Sequence, residues 1–399
     1  MEITNIEVLN LRYDYPADKG FTFAGGRATG RLTTLVRVET DTGHTGIGSA
    51  YTHPILARGV VEHLVPHLVG LDATAVEENW TRMYSLTRWY GRAGVAMSTL
   101  GAIDTALWDL RGQDRGEPVW KLLGGTEPSV AAYASGLLWN DDMESLAAEA
   151  HRHVDDGFRR VKMRLGRTWN YDRLAFQTVK SAVGPNVDVM VDGSMRYSFD
   201  DAVRLGRLLS EDGTFWFEEP FAPEDLESFR RLRRTISVPL AAGENECSAA
   251  GFEDLARGPA VDIMQPDASR AGGISAVWNV CELGAERGLR VATHSWSDAV
   301  AVMANAHAIA AADARLTVEV DRTGTPFVDE LLTTPLEIRD GRLMLSHAPG
   351  LGITLDEETV ARYLVTEDGA IPPGIYSDMA FGPFAKTGSI AGAASEGGP

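Results

Sequence analysis

Single reactive side chains recur at the ends of short apolar runs between positions 160 and 320. They follow one another at intervals of 23 to 30 residues, and the set is Lys162, Asp192, Glu218, Glu244, Asp267, His294 and Glu319. A parallel barrel uses a comparable length for each strand, loop and helix, and its functional residues lie at the carboxyl ends of the strands. The series therefore predicts seven reactive side chains around one mouth of a barrel.

The chain is long enough for a large core, because 44% of its 399 residues are hydrophobic. This size fits two domains or one large barrel with an appendage. The longest apolar segments, such as 300–311, are rich in Ala and interrupted by His and Asn, so we predict no membrane span. The first ten residues include Glu2 and Glu7 and do not resemble a secretion signal. These features predict a cytoplasmic protein.

The formal net charge of -19 opposes binding to nucleic acid or to anionic lipid. An acidic substrate would therefore need a local positive site. A divalent cation together with a few Lys and Arg side chains would supply one.

The two cysteines, Cys247 and Cys281, are too few for a disulfide framework. Cys247 lies three residues after Glu244 and is a conceivable nucleophile, but no His partner is evident in the sequence. We therefore interpret it as a buried bystander.

The first 125 residues predict an α+β domain. Residues 3–9 alternate between apolar and polar, and residues 33–39 and 43–48 resemble a hairpin closed by a turn at 41–43. From 56 to 123 the pattern is helical, and one apolar stripe ends at Gly112, which is a suitable helix terminus.

Residues 126–345 predict a second domain of alternating strands and helices. Its apolar runs suit the buried strands of a parallel sheet and lie at 187–191, 214–217, 238–241, 261–264 and 290–292. Ser198 begins a capping-box-like helix that extends through Leu209. We expect residues 346–383 to return to the first domain and the Gly-, Ala- and Ser-rich residues 384–399 to be disordered.

Alternating strands and helices can also form an open, doubly wound sheet. Two features favour a closed barrel. There is no glycine-rich phosphate loop after a first strand, and the functional residues fall on seven successive units instead of at one switch point.

Three consecutive predicted strands end in the acids Asp192, Glu218 and Glu244. Any one of them alone would more often be a solvated loop acid or a helix cap. Three neighbouring carboxylates cannot all remain ionised without a cation, and their hard oxygen ligands suit Mg²⁺. The sequence therefore predicts a magnesium site.

His294 and Asp267 follow neighbouring strands and form a candidate acid/base dyad, in which the carboxylate fixes the tautomer of the imidazole. Lys162 and Arg164 are two positions apart on a predicted strand, so they point to the same side. Two cations opposite His294 would bind an anionic substrate. Separately, a buried His, a helix-capping Asp and a surface basic pair are all common.

Several motifs together resemble the enolase superfamily, mandelate racemase subgroup. They are Val191-Asp192, Trp216-Phe217-Glu218-Glu219-Pro220, Ala242-Gly243-Glu244-Asn245, Gln265-Pro266-Asp267-Ala268 with Gly272-Gly273, Thr293-His294, Ala106-Leu107-Trp108-Asp109 and Lys121-Leu122-Leu123-Gly124-Gly125. The resemblance covers nearly the whole chain.

This resemblance implies a modified TIM barrel, (β/α)7β, beneath an amino-terminal α+β cap, with Mg²⁺ held by the three acids. The family removes the proton next to a carboxylate and stabilises an enediolate, using a Lys or His base. His294 with Asp267 would be one acid/base, and the strand of Lys162 and Arg164 would supply the opposite face. Glu319 would hydrogen-bond the substrate carboxylate.

Cap loops at 18–26 and 51–53 would close the pocket and select the substrate. The candidate substrate-binding residues are Lys19, Phe21, Tyr51, His53, Asn245 and Trp296. The resemblance also implies a homo-oligomer, either a dimer or an octamer.

Two positions depart from the family pattern. Arg164 stands where the subgroup usually has the second Lys of Lys-x-Lys, and Ser194 stands where Asn is frequent. Arginine stays protonated and is a poor base, so racemisation with a base on each face is disfavoured unless Lys162 takes over.

These observations predict a Mg²⁺-dependent dehydratase that converts an aldonic or aldaric acid to a 2-keto-3-deoxy acid. The nearest alternative is a racemase, epimerase or cycloisomerase with the same first step. A hydrolase that activates water on the metal would explain the acids but not the dyad. A catalytically silent scaffold would have no need of the complete set of residues.

Overall fold

The computed structural model of the chain describes residues 1–17, 19–24, 26–366, 371, 375–376 and 379–381. The predicted disordered segment 384–399 lies outside the described residues, as do positions 18 and 25 of the predicted cap loop. Every helix in the described part is too short or too polar to cross a bilayer.

The amino-terminal region forms an antiparallel sheet around one long strand, β3 (Gly26–Thr40). Its partners are β1 (Ile3–Asp14), β2 (Phe21–Phe23), β4 (Thr45–Ala50) and β16 (Met379–Phe381), and β15 (Ile375–Tyr376) pairs with β16. The predicted hairpin is confirmed, because Glu39 of β3 lies opposite Thr45 of β4 across the turn.

Helices follow this sheet in the cap. They are α1 (Pro54–Leu64), a 3₁₀ turn (Val65–His67), α2 (Val76–Thr87), α3 (Val95–Arg115) and α4 (Val119–Leu122). The predicted end of α3 at Gly112 is wrong, because the helix continues to Gly116, which adopts the left-handed conformation with φ 66°. Gly112 is instead a packing residue, since a Cβ there would lie 2.5 Å from the backbone of Gly350.

Eight parallel strands form a closed barrel. They are β5 (Ser129–Ser135), β6 (Arg160–Arg164), β7 (Asp188–Asp192), β8 (Trp216–Glu218), β9 (Leu240–Ala242), β10 (Ile263–Met264), β11 (Arg290–Thr293) and β12 (Arg315–Asp321). The eighth strand pairs with the first from Val318 opposite Ala132 to Asp321 opposite Ser135. This pairing confirms the closed barrel and rules out the open sheet.

The barrel helices are α5 (Met143–Asp155), α6 (Trp169–Val183), α7 (Phe199–Glu211), α8 (Leu226–Arg233), α9 (Ala249–Ala256), α10 (Ala268–Ala271), α11 (Ile274–Arg287) and α12 (Ala299–Ala310). The predicted cap of α7 is present, because Ser198 accepts a hydrogen bond from the backbone of Asp201. The later elements are α13 (Pro326–Asp329), β13 (Ile338–Arg339), β14 (Arg342–Met344) and α14 (Glu357–Tyr363).

Two buried acids of the barrel, Asp321 and Asp298, contact the cap. The guanidinium of Arg31 on β3 lies 2.7 Å from the carboxylate of Asp321 on β12. Asp298, just before α12, accepts hydrogen bonds from the hydroxyls of Thr33 on β3 and Ser49 on β4. Buried charges with partners of this kind are costly to separate, so these contacts hold the cap over the barrel mouth.

Most of the strand ends predicted from the sequence lie within one or two residues of the observed ends. Asp192 and Glu218 end their strands, and His294 follows β11 directly. Lys162 and Glu319 do not close their strands as predicted, because β6 and β12 each continue for two more residues. Both side chains still face the mouth, since side chains two positions apart on a strand share a side.

Candidate metal centre and acid/base site

Three carboxylates from neighbouring strands meet at the barrel mouth. Asp192 ends β7, Glu218 ends β8, and Glu244 lies two residues after β9. One oxygen of each acid lies within 4.8 Å of the others. Burial raises the pKa of Glu218 to about 8, and the charges of Asp192 and Glu244 add to this effect against the opposing charge of Lys162. For Glu218, burial and the neighbouring acids thus outweigh the charge of Lys162, and a bound metal cation would offset them.

The donor set fits Mg²⁺. All three groups offer hard carboxylate oxygens, which Mg²⁺ prefers. The buried Oε2 of Glu244 accepts no hydrogen bond from the described residues, and Nε2 of His294 lies 3.5 Å from it. This oxygen therefore has capacity left to bind an ion. Asp192, Glu218 and Glu244 are accordingly the residues that would hold the cation.

Lys162 is buried between two carboxylates. Its Nζ lies 2.7 Å from Oε1 of Glu218 and 2.9 Å from Oε1 of Glu319. Burial alone would lower the pKa of Lys162, but the charges of Glu218 and Glu319 outweigh burial and raise it. The side chain is therefore an ammonium ion in this arrangement.

Arg164 contacts both an acid and an aromatic ring. Its guanidinium lies 2.5 Å from Oδ2 of Asp192 and 4.9 Å from the ring centre of Trp296. The same ring lies 5.5 Å from the guanidinium of Arg31, and Phe21 packs edge-on against it at 6.2 Å. Trp296 thus links the basic strand to the cap.

His294 and Asp267 form the predicted dyad. The imidazole Nδ1 lies 2.8 Å from Oδ2 of Asp267, whose other oxygen accepts from Ser269 and from Asn305. Since the carboxylate is an acceptor, Nδ1 carries a proton and Nε2 is the nitrogen available for transfer. It lies 3.5 Å from Glu244.

The surrounding acids strengthen this imidazole as a base. Burial would lower the pKa of His294, but the charges of Glu244 and Glu319, with the hydrogen bond to Asp267, raise it to about 9. A cation among the three acids would cancel the contribution of Glu244 and lower this pKa toward neutrality.

Each carboxylate oxygen of Glu319 has a partner. Its Oε2 accepts a hydrogen bond from the backbone of Ser295 at 2.9 Å, and its Oε1 faces Lys162. Although burial would raise the pKa of Glu319, the charges of Lys162 and His294 lower it below its usual range. It is ionised in this arrangement, and its predicted hydrogen bond to a substrate carboxylate stays a prediction.

The predicted substrate-binding residues fall into two groups. Tyr51 packs edge-on against His294, with ring centres 5.9 Å apart, and Phe21 reaches the site through Trp296. Lys19 is exposed and His53 lies at the start of α1. Neither has a described contact with Lys162, Arg164 or His294.

The sixth candidate, Asn245, is occupied at both ends of its amide. Its Nδ2 donates to Oε2 of Glu219 at 2.8 Å, and its Oδ1 accepts from Arg270 at 2.9 Å. The guanidinium of Arg270 in turn lies 4.9 Å from the ring centre of Tyr51. Asn245 therefore belongs to a hydrogen-bonded chain beside the carboxylates.

Sequence reasoning missed Glu219, Arg270 and Asn305. Glu219 was inside a quoted motif, and Asn305 interrupts an otherwise Ala-rich helix, which was the available signal for a buried polar contact. Arg270 gave no signal, because its partners are distant in sequence.

Both cysteines are buried and unpaired. Burial raises the pKa of Cys281 to about 12, so it is not a thiolate. The thiol of Cys247 lies 3.7 Å from the backbone oxygen of Asn245.

Two family models match the chain. Residues 14–124 match the mandelate racemase / muconate lactonizing enzyme amino-terminal domain, and residues 145–359 match the enolase C-terminal domain-like model. Together they cover most of the cap and most of the barrel.

Characterised proteins are similar over most of their length. The D-galactarolactone cycloisomerase of Agrobacterium fabrum is 31% identical over 91% of this chain and 99% of its own. The arabinonate dehydratase of Saccharolobus solfataricus is 30% identical over 82% and 89%. The structure of L-talarate dehydratase from Polaromonas sp. JS666, complexed with Mg and L-glucarate, matches with a TM-score of 0.83 and 27% identity over 91% and 97%.

Proposed function

The chain belongs to the mandelate racemase and muconate lactonizing enzyme group of the enolase superfamily, and on this premise we propose that it is a Mg²⁺-dependent sugar acid dehydratase. The substrate would be an aldonic or aldaric acid. The products would be a 2-keto-3-deoxy acid and water.

The proposal rests on a difference between two sides of the barrel mouth. One flank is β6, which carries Lys162 and Arg164, and the other is the end of β11, which carries His294. His294 has a protonated Nδ1 on Asp267 and an available Nε2, whereas Arg164 is locked against Asp192. Only one flank thus holds a ready base, which suits an elimination better than a two-base racemisation.

The substrate carboxylate would lie near Lys162, with its α-hydrogen facing Nε2 of His294. His294 takes the α-proton, the electron pair forms the C2–C3 double bond, and the β-hydroxyl leaves. In a syn elimination His294 returns the proton to the departing oxygen, and in an anti elimination Lys162 donates one. The enol product then tautomerises to the 2-keto acid.

A Mg²⁺ ion bound by Asp192, Glu218 and Glu244 would stabilise the negative charge that develops on the substrate carboxylate. Lys162 adds a second positive charge beside Glu319. Both effects lower the barrier to removal of a weakly acidic α-proton.

A cycloisomerase is the second candidate. It is favoured by the 31% identity to the D-galactarolactone cycloisomerase of Agrobacterium fabrum. It also needs only one base, so the same flank would serve it. The two functions share their first step and differ in the group that leaves.

The test is incubation of the protein with Mg²⁺ in D₂O and a panel of diastereomeric aldonic and aldaric acids and their lactones. Proton NMR would follow α-deuteration, and a colorimetric assay would follow 2-keto acid formation. We expect keto acid from one acid of the panel and none after EDTA treatment.

Other results would point elsewhere. Deuteration or lactone consumption without keto acid would favour epimerisation or cycloisomerisation. No exchange with any member would contradict the proposal and favour a silent scaffold. The cytoplasmic location and the dimeric or octameric assembly stay predictions, and size-exclusion chromatography with light scattering would test the assembly.

A further inference from the structure

Glu219 is a fourth carboxylate beside the three candidate ligands. It is only 2% exposed, and its Oε2 accepts a hydrogen bond from Asn245. Its other oxygen, Oε1, is buried and has no hydrogen-bond partner among the described residues. A buried carboxylate oxygen without a partner costs free energy, so it calls for a donor that the described residues do not supply.

The position of Glu219 indicates where that donor lies. Glu219 follows Glu218 directly in the chain, and its Oε2 is hydrogen-bonded to Asn245, the residue after Glu244. Its carbonyl accepts from the backbone of Met195, in the loop that follows Asp192. These links place Glu219 beside all three acids. Yet Glu219 is outside the group whose oxygens lie within 4.8 Å of one another. It is therefore adjacent to the cation position without being one of its direct ligands.

The backbone and the neighbouring side chains fix this carboxylate. Glu219 has φ 33°, which is uncommon for a residue other than glycine. Its N–H donates to Ala241 at 3.0 Å, and its carbonyl accepts from Met195 at 2.7 Å. Such backbone strain persists only where surrounding contacts impose it, and it concentrates at functional sites.

A series of side-chain contacts holds the carboxylate of Glu219. Asn245 donates to Glu219, Arg270 donates to Asn245, and the Arg270 guanidinium packs on Tyr51. Tyr51 lies in the cap, between β4 and α1, so this chain of contacts connects Glu219 to the cap.

We propose that Glu219 is a positioning residue of the cation site, whose free Oε1 accepts a hydrogen bond from a water carried by the bound Mg²⁺. This inference rests on the magnesium site of the proposed function. Mg²⁺ loses its waters reluctantly and keeps several of them in protein sites, so a donor of this kind accompanies the ion. Partners of this type contribute roughly 10- to 100-fold to metal affinity.

Isothermal titration calorimetry of the EDTA-treated protein with MgCl₂ tests the proposal without any substrate. Glu219→Gln keeps the size of the side chain and an oxygen for Asn245 but removes the charge. We expect its Kd for Mg²⁺ to be about tenfold or more above that of the unchanged protein. An unchanged Kd would overturn the proposal.

Glu246→Gln is the matched control. Glu246 is another part-buried glutamate two residues after Glu244, but the charges that act on it are those of Asp254 and Glu224. Its substitution removes the same charge from the same region, and we expect a Kd within about twofold of the original. An equal loss in both variants would mean that only total charge matters and would contradict a specific role for Glu219.

Asn245→Ala is a second variant in case Glu219→Gln does not fold, which circular dichroism would show. It removes the donor that orients Glu219, so a smaller increase in Kd is expected, and an unchanged Kd would count against the proposal. If the unchanged protein binds no Mg²⁺ at all, the magnesium site itself fails, and that result is distinct from a loss of Glu219 alone.

Discussion

The two flanks of the barrel mouth hold their basic groups in different ways. On β6, Lys162 contacts Glu218 and Glu319, and Arg164 contacts Asp192, so both cations are paired with buried carboxylates. On the opposite flank, the one hydrogen bond that the described residues make with the His294 ring is at Nδ1. Its Nε2 lies 3.5 Å from Glu244 and 3.8 Å from Glu319. The cations paired with acids and the hydrogen-bonded imidazole therefore come from different strands, β6 and the end of β11.

Removing the proposed base, His294, should reduce activity more than any other change considered below. His294→Asn keeps a polar side chain of similar shape but cannot accept a proton, so we expect α-deuteration and turnover to fall by roughly 10³- to 10⁴-fold. NMR-detected exchange in D₂O measures this directly. If exchange persisted within tenfold, the base would lie on the β6 flank and the comparison would be reversed.

The two flanks should also differ in how they affect stability as pH changes. The pKa of His294 in the folded, metal-free protein is about 9, above the ordinary value of 6.5. The resulting stabilisation is complete below about pH 6.5 and is lost as the pH rises through 9. It amounts to at most about 3 kcal/mol.

Urea unfolding in EDTA at pH 6 and pH 9 would measure this difference for the unchanged protein and for His294→Asn. The variant should lose less stability over this range, because it lacks the titrating imidazole. The raised pKa of Lys162 keeps that residue charged throughout the same window, so the β6 flank should not contribute. Equal losses in the two proteins would show that His294 is not held as the structure indicates.

A smaller effect is expected from the residue that orients the base. Asp267→Asn removes the carboxylate that accepts from Nδ1, which permits the wrong tautomer, so kcat should fall by roughly 10²-fold. Asp262→Asn is a matched control at the other end of the same strand region, where the carboxylate pairs with Arg233 at 2.7 Å. A similar fall in kcat for both variants would attribute the effect to general disturbance of β10.

The positions of the reactive residues could be predicted because a parallel barrel repeats one unit and brings equivalent strand ends to one edge. Asp192, Glu218 and His294 follow this rule closely. Local sequence cannot show, however, whether a glycine ends a helix or packs against a distant backbone, and for this reason Gly112 was misread as the end of α3.

The contacts within the site were less accessible from sequence. Whether Arg164 pairs with Asp192, or Asn245 with Glu219, depends on the directions of side chains from different strands. The positive φ of Glu219 arises from bonds to residues 195 and 241, which no local pattern encodes. The sequence predicted only that Asn245 lies near the site. The structure was needed to show that it is hydrogen-bonded to Glu219 and Arg270.

Arg164→Lys should change kcat the least of these variants. It tests directly whether the β6 flank lacks a base because Arg164 cannot lose a proton. A lysine restores the Lys-x-Lys pattern and provides an amine that can lose a proton, but it lacks the planar group that packs on Trp296. We expect kcat for the preferred acid to fall by about tenfold or less. We also expect α-deuteration of its C2 epimer, which the unchanged protein should not exchange.

The two epimers present their α-hydrogens to opposite flanks, so NMR of each in D₂O separates the two bases. Lys162→Arg, combined with Arg164→Lys, is the control, because it leaves a single amine at the new position. Exchange of the C2 epimer by the unchanged protein would mean that Lys162 already acts as a base despite Glu218 and Glu319. The ion pairs of Lys162 with Glu218 and Glu319 would then have to break during turnover. Both flanks would supply a base, although before the substrate binds Nε2 of His294 is not paired so closely and lies 3.5 Å from Glu244, its nearest described carboxylate.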